Sequence, residues 1–287
     1  MLKKSASILA MSLFVASGCL AADTADNEAA LQQVIESRSA EDRARDSARH
    51  PAETLAFFQV EPGMTIAELL PGKGWYTAIL ANYLGPEGTL YGINYSDRMW
   101  PLFPNATEEW IAARKQVTAE FPGMVAGFTD NGIKTASFTI NQVSPDLTGT
   151  VDRVLIIRGL HNLNRFEKQA GTRTKALAAV HAVLKDDGMV GVVQHRAPES
   201  AGADWADGSH GYMDEAAVIL MFEEAGFQLV AASEINANPL DQPSENDMVW
   251  RLPPSLRGSA EDAEQRAAML AIGESDRMTL LFRKAVQ

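Results

Sequence analysis

The sequence predicts an α/β fold, a doubly wound and mainly parallel sheet of seven strands with helices on both faces. Three observations predict it. From Gly63 onward, short apolar strand signals alternate with helix-length segments, the pattern of repeated βαβ units. Val151–Ile157 (VDRVLII) is strongly apolar, as a strand covered on both faces must be. The first strand also runs directly into glycines that open a helix, Leu70-Pro71-Gly72-Lys73-Gly74, a turn that lets backbone approach a ligand.

In order, Met64–Leu70 is the first strand, followed by a helix over Gly74–Leu84 closed by Gly85-Pro86. Thr89–Asn94 is a strand; Ala106–Glu120 is a helix ended by Pro122-Gly123; Ala136–Ile140 and Val151–Ile157 are strands. A long helix over Arg165–Leu184 and an Asp187-Gly188 turn lead to the strand Met189–Gln194. Asp214 caps a helix to Ala225, and Phe227–Ser233 is the sixth strand. Residues 237–258 are proline-rich and irregular, Ser259 caps a helix to Ile272, and Met278–Arg283 is the last strand. No crossover helix is evident between the last two strands, which suggests a hairpin-like closing pair. Three segments result: 1–22, a helical arm over 23–62 whose dense mixed charge (SRSAEDRARDSARHP) suggests a solvated surface, and an α/β domain over 63–287.

The chain has 287 residues with 46% hydrophobic and 22% charged residues, enough for a core without staples. Its formal charge of −12 argues against nucleic acid or an anionic membrane as partner. Cys19 is the only cysteine, so an internal disulfide and a thiolate zinc site are both excluded.

Residues 1–22 carry the marks of an export signal: basic Lys3 and Lys4, an apolar stretch Ile8–Ala16 too short to span a bilayer, and a small-residue zone. Either a peptidase cuts near Ala21 or Ala22, or Val15–Cys19 acts as a lipobox and Cys19 carries lipid. A periplasmic location follows. No later segment is long and apolar enough to cross a membrane.

Glu68 ends the first strand two residues before the glycine turn. An acid beside free helix N–H groups suits the ammonium and carboxylate of an amino acid better than a pyrophosphate. The turn is not a Walker loop, and Thr77 stands where a dinucleotide fingerprint needs its third glycine. Here the sequence resembles class I S-adenosylmethionine-dependent methyltransferases. It is similar, more narrowly, to exported bacterial proteins of that kind that carry RHPAETLAFF, here Arg49–Phe58, before a PGxGWYT turn, here Pro71–Thr77. The resemblance covers nearly all of the chain from about Arg38 and implies an antiparallel last strand. It further implies S-adenosylmethionine as cofactor, held by Glu68, Pro71, Gly72, Gly74, Trp75, Tyr76 and Thr77, with Asn94 at the ribose and Asn141 at the adenine. Two departures stand out. Leu70 replaces the first of three glycines, and Asn94 replaces the ribose-binding acid, for which Asp97 is a substitute.

The fourth and fifth strands end near His161 and His195, on the ligand side of such a sheet. Either imidazole suits general-base work on a hydroxyl or amine. His210, in ADWADGSHGYMD with Asp204, Trp205 and Asp207, reads as part of a surface loop, the alternative being a substrate lid; His50 and His181 read as structural. No pair of histidines has a metal-ligand spacing. The sequence therefore predicts methyl transfer to a small molecule. The alternatives are a binding or sensing module that kept the fold and a hydrolase or lyase acting through His161 and His195.

Overall fold

The computed structural model describes residues 16–285, with side chains from residue 25 onward. Most of the export segment lies outside the described residues. The arm comprises α1 (Ala16–Ser37), α2 (Ala40–Arg43), α3 (Asp46–Arg49) and α4 (Pro51–Phe57); β1 (Thr65–Leu69), α5 (Trp75–Tyr83), β2 (Thr89–Asn94), α6 (Glu108–Ala126) and β3 (Lys134–Thr139) follow. After β4 (Val151–Ile157) come α7 (Leu160–Arg165), α8 (Glu167–Ala170), α9 (Thr172–Val183), β5 (Leu184–His195), α10 (Glu215–Glu224), β6 (Phe227–Ser233), α11 (Ala263–Ile272) and β7 (Arg277–Lys284).

The seven strands form one sheet in the order β3-β2-β1-β4-β5-β7-β6. The first five are parallel, and β7 inserts antiparallel between β5 and β6. The fold class read from the sequence is the one observed. Side chains alternate between two cores, as strand geometry requires. Ala67 and Ile156 face α7, α9 and α10, whereas Ile66 and Leu155 face the arm, α5 and α6.

The charged tract is largely exposed from Ser37 to Ser47, but the arm on either side of it packs on the sheet. Leu31, Ile35, Leu55 and Phe58 are buried in the second core. An added Cβ on Gly191 of β5 would meet Phe58 ring carbons at 2.5–2.7 Å, so this glycine makes the seat for the ring. Leu31, Ile35, Leu55 and Phe58 flank the charged tract rather than lie within it.

Three helices differ from expectation. Helix α6 continues through Pro122. Proline has no N–H for the Thr118 carbonyl one turn earlier, and the Ser137 hydroxyl of β3 donates there instead. The expected helix over 165–184 is three pieces, because Gly171 adopts φ 59° and ends α8; Glu167 then accepts from the Arg173 and Thr174 amides to start α9. The cap of α11 is Asp262, whose carboxylate accepts from Gln265 N–H, and not Ser259.

Gly191→Ala is expected to destabilise the chain by about 1–3 kcal/mol through overpacking against Phe58. Gly123→Ala, in open space on α6, is expected to be neutral or to stabilise by ~0.5–1 kcal/mol. Urea unfolding of both variants checks the pair.

Candidate functional site

The sheet changes its winding direction between β1 and β4, the switch point where ligands enter such folds. Both central strands leave the sheet there in the same way. Leu70 N–H donates to Ile93 O of β2 at 2.8 Å, and Arg158 N–H donates to Val193 O of β5 at 2.7 Å. Each residue then turns at positive φ, 62° for Leu70 and 56° for Arg158. Neither is glycine, so each turn stores on the order of 1 kcal/mol of backbone strain. The two chains splay toward opposite neighbours, and a cleft of about 380 Å³ opens between them.

Glu68, Leu70, Pro71 and Gly72 form one side of this cleft, with Trp75 and Tyr76 from α5. Gly72 has φ +62°, and the nearest atom to an added Cβ is Leu70 O at 4.0 Å. Leu70 does not close the entrance. Its side chain packs beneath the β4 turn, where a Cβ on Gly159 would meet Leu70 Cδ1 at 2.8 Å. The absence of a side chain at Gly159 makes room for the one at Leu70.

Glu68 is buried and accepts from Thr77 Oγ1 at 2.6 Å, which is the role of Thr77 in the turn. Burial pushes the Glu68 carboxyl up to about 7, while the Thr77 bond lowers it. Gly74 does not face the cleft; a Cβ there would meet Met124 Sδ at 2.8 Å and Phe128 at 3.0 Å, so this glycine serves the packing of α5 on α6. The GWYT segment ties the turn to the arm. Trp75 Nε1 donates to Asp42 O at 3.1 Å, and the Arg38 and Arg49 guanidiniums stack on its ring at 4.8 and 4.7 Å. Tyr76 OH donates to Arg49 O at 3.2 Å. The two segments that carried the sequence resemblance therefore meet in space.

His161, in the first turn of α7, and His195, at the end of β5, both line the cleft, with ring centroids 5.4 Å apart. Gln194 Nε2 donates to Gly211 O at 2.9 Å, which leaves Oε1 to accept from His161 Nδ1 at 3.3 Å. That arrangement protonates Nδ1 and leaves Nε2 as the basic nitrogen. Burial holds His161 down at about 4, opposed by the Gln194 bond, with Arg165 and Arg158 lowering it further. His195 Nδ1 lies 2.6 Å from Ser275 Oγ, and burial, then His161 and nearby arginines, hold it well below the usual histidine range. Both rings are neutral at physiological pH.

Asn94 and Asn141 belong to a neighbouring region. Asn94 ends β2, is buried, and its Nδ2 has no hydrogen-bond partner among the described residues. Asn141 Nδ2 donates to Ser96 Oγ at 2.8 Å beside a second cavity of about 250 Å³, lined by Met99, Ile140 and Thr172. Asp97 is exposed beside it.

His210 is not in a lid over the cleft. It stacks on Trp205, which also stacks on Tyr212, in a small cluster that borders the cleft through Val249 and Trp250. Part of the cleft wall comes from the segment the sequence left irregular, through Trp250, Pro253 and Pro254. Sequence reasoning also missed an ionic cluster. Arg49 Nε donates to both Glu274 carboxylate oxygens at 3.0 Å, and Arg277 and Arg158 lie 3.3 and 3.5 Å from Glu274 Oε2. Arg49 and Glu274 are 225 positions apart, so no local spacing signals the pair. No group of three histidine, cysteine or acidic residues that could hold a metal occurs among the described residues.

No protein-family model and no curated protein matches the chain. Solved structures do. The chain is similar to the [4+2]-cyclase SpnF at a TM-score of 0.50 and 14% identity, over 84% of this chain and 81% of that one. It is also similar to an S-adenosylmethionine-dependent methyltransferase from Aquifex aeolicus (TM-score 0.46, 17% identity, 72% of this chain and 93% of that one). A third similar structure is the Burkholderia thailandensis 1,6-didemethyltoxoflavin-N1-methyltransferase, solved with S-adenosylhomocysteine (TM-score 0.46, 11% identity, 96% of this chain and 94% of that one). At these identities the likeness is one of fold, and a fold hosts more than one chemistry.

The folded chain binds the Glu68 proton more tightly than the unfolded chain does. This contribution to stability is therefore complete below the unfolded value of 4.5 and is lost as pH rises through about 7. The depressed histidines act oppositely, losing stability as pH falls below 6.5. Between pH 6 and pH 8 the two effects oppose each other in wild type, so the Glu68 contribution is read as a difference: Glu68→Gln is expected to gain on the order of 1 kcal/mol relative to wild type as pH rises from 6 to 8. Thermal melts followed by circular dichroism at the two pH values check this.

Proposed function

We propose that the protein is an S-adenosylmethionine-dependent methyltransferase acting on a small molecule, exported to the periplasm and similar to the exported proteins with a PGxGWYT turn. The observation that carries the reading is the buried Asn94 amide, a hydrogen-bond donor with no partner among the described residues, at the strand end where this fold places a sugar hydroxyl. A buried donor left unpaired costs ~1–3 kcal/mol, and a ribose hydroxyl at Asn94 removes that cost.

The residues present fit the cofactor. The smaller cavity offers Met99 and Ile140 as apolar faces for a flat heterocycle, with Asn141 at its edge. Gly72 leaves its Cα open to the cleft, and Glu68 stands beside it to receive an ammonium group. S-adenosylmethionine supplies, when bound, a methyl group on a sulfonium for in-line transfer. The chain's own work is placement and proton handling. His161 Nε2 accepts a proton from the acceptor hydroxyl or amine, and Gln194 holds that ring in the tautomer required. His195, held by Ser275, backs the same face. Trp250, Pro253 and Pro254 add apolar surface to the cleft wall.

The export reading rests on Lys3, Lys4 and the apolar stretch after them. Cleavage near Ala22 and lipidation of Cys19 are separated by the mass of the mature N-terminus. No nucleic-acid partner is proposed, given the charge of −12.

Calorimetric titration with S-adenosylmethionine and S-adenosylhomocysteine is expected to show saturable binding of both, weakened about fivefold by Asn94→Leu, the equivalent of one neutral hydrogen bond of ~1 kcal/mol. Absence of heat with either nucleoside overturns the reading. Binding without methyl transfer to any acceptor supports the non-catalytic module instead. Gly74→Val is unsuitable as a negative control, because it collides with Met124 and Phe128.

A further inference from the structure

We propose that the cleft recognises an anionic group, a carboxylate or a phosphate, on the acceptor molecule, and that Arg158 is the residue that meets it. The inference rests on the reading of this cleft as the acceptor site and adds its substrate class.

Three guanidiniums, from Arg49, Arg158 and Arg277, converge on one carboxylate, Glu274. The cluster is built into the molecule: Arg49 is 1% exposed and Arg277 2%. One acid cannot balance three cations, two of them fully buried, and uncompensated buried charge is costly. The other nearby acids are already committed. Asp276 accepts from Arg196 Nε at 2.9 Å and from Asn238 N–H at 2.8 Å, and Asp241 from Tyr212 and Arg251. Two guanidinium nitrogens, Arg49 Nη1 and Arg158 Nε, have no hydrogen-bond partner among the described residues.

The surplus charge faces the cleft. Arg49 and Arg158 line it, with Arg45 and Lys73 at its edge. Arg158 is the accessible member, its side chain 23% exposed, and its contact to Glu274 is the longest of the three at 3.5 Å. It is also held at positive φ, 56°, on the turn that opens the cleft, so its backbone strain is stored where a ligand would use it. In a chain of net charge −12, a local excess of buried positive charge selects anions by contrast with the surface around it. A planar guanidinium matches the paired oxygens of carboxylate and phosphate alike.

The test titrates the purified protein, at constant ionic strength and without added nucleoside, with inorganic phosphate, benzoate and neutral benzamide. Binding is read by calorimetry and by the change in tryptophan fluorescence, Trp75 and Trp250 being the two of the five tryptophans that line the cleft. Saturable binding of phosphate or benzoate, absent for benzamide and weakened roughly tenfold by Arg158→Gln, supports the proposal; the anion preferred identifies the acceptor as a phosphate ester or a carboxylic acid. Arg158→Lys is expected to recover part of the loss. No saturable response to either anion, an equal response to benzamide, or unchanged binding in a folded Arg158→Gln overturns it. Should Arg158→Gln fail to fold, the benzoate-to-benzamide comparison on wild type still decides. Repeating the titration with saturating S-adenosylhomocysteine separates the acceptor from the cofactor's own carboxylate: mutually exclusive binding assigns the arginines to the cofactor and overturns the proposal. If the nucleoside does not bind while benzoate does, methyl transfer falls and the anion site remains.

Discussion

The bond between Arg49 and Glu274 is the constraint on which the rest of the molecule depends. It joins the last residue of the arm's third helix to the turn before β7, with Arg49 Nε shared between both carboxylate oxygens at 3.0 Å. Arg49 also stacks on Trp75, and its carbonyl accepts from Tyr76. One side chain therefore fixes the arm, the glycine turn and the final strand against each other. Breaking such a buried pair typically costs ~3–5 kcal/mol, because the remaining charge is stranded. Here the cost is compounded: without Glu274, Arg158 and Arg277 lose their shared counter-charge as well. The stability of the arm and the chemistry of the cleft cannot be separated.

Strands were legible in the sequence because their information is local. Alternation and apolar runs placed β2, β4 and β6 to the residue, and the glycine turn announced itself through Gly72 and Gly74. Local signals failed where a distant group altered the outcome. Pro122 should end a helix, yet Ser137, on a strand that follows, takes over the carbonyl that proline abandons. The charged tract of the arm is exposed as its density suggests, but nothing local announced that Phe58 beyond it sits over Gly191. At the site, Glu68, Gly72, His161 and His195 were legible because each stands at a strand end or in a turn. Arg49, Arg158, Glu274 and Trp250 were not, because their meaning lies in partners far along the chain.

Leu70 shows how this fold houses a side chain at a left-handed position that favours glycine. The backbone at 70 keeps the left-handed conformation, φ 62°, that a glycine adopts without strain. The extra side chain is housed by Gly159 across the switch point. The two turns are complementary: the side chain on one lip of the cleft fits the space that the glycine on the other leaves, and the space beside Gly72 is open.

The electrostatics of the cleft also bear on its bases. His195 is held neutral by burial first, and then by His161, Arg277, Arg158 and Arg49 in turn. Arg158 is itself pushed down to about 9 by burial and by the like charges of Arg49 and Arg277, with Glu274 opposing. These groups repel one another across a low-dielectric space, where each charge is felt more strongly than in water. An anion at Arg158 offsets that repulsion. It stabilises the guanidiniums and lessens the part of the histidine depression that comes from Arg158, a part that ranks below burial on both rings.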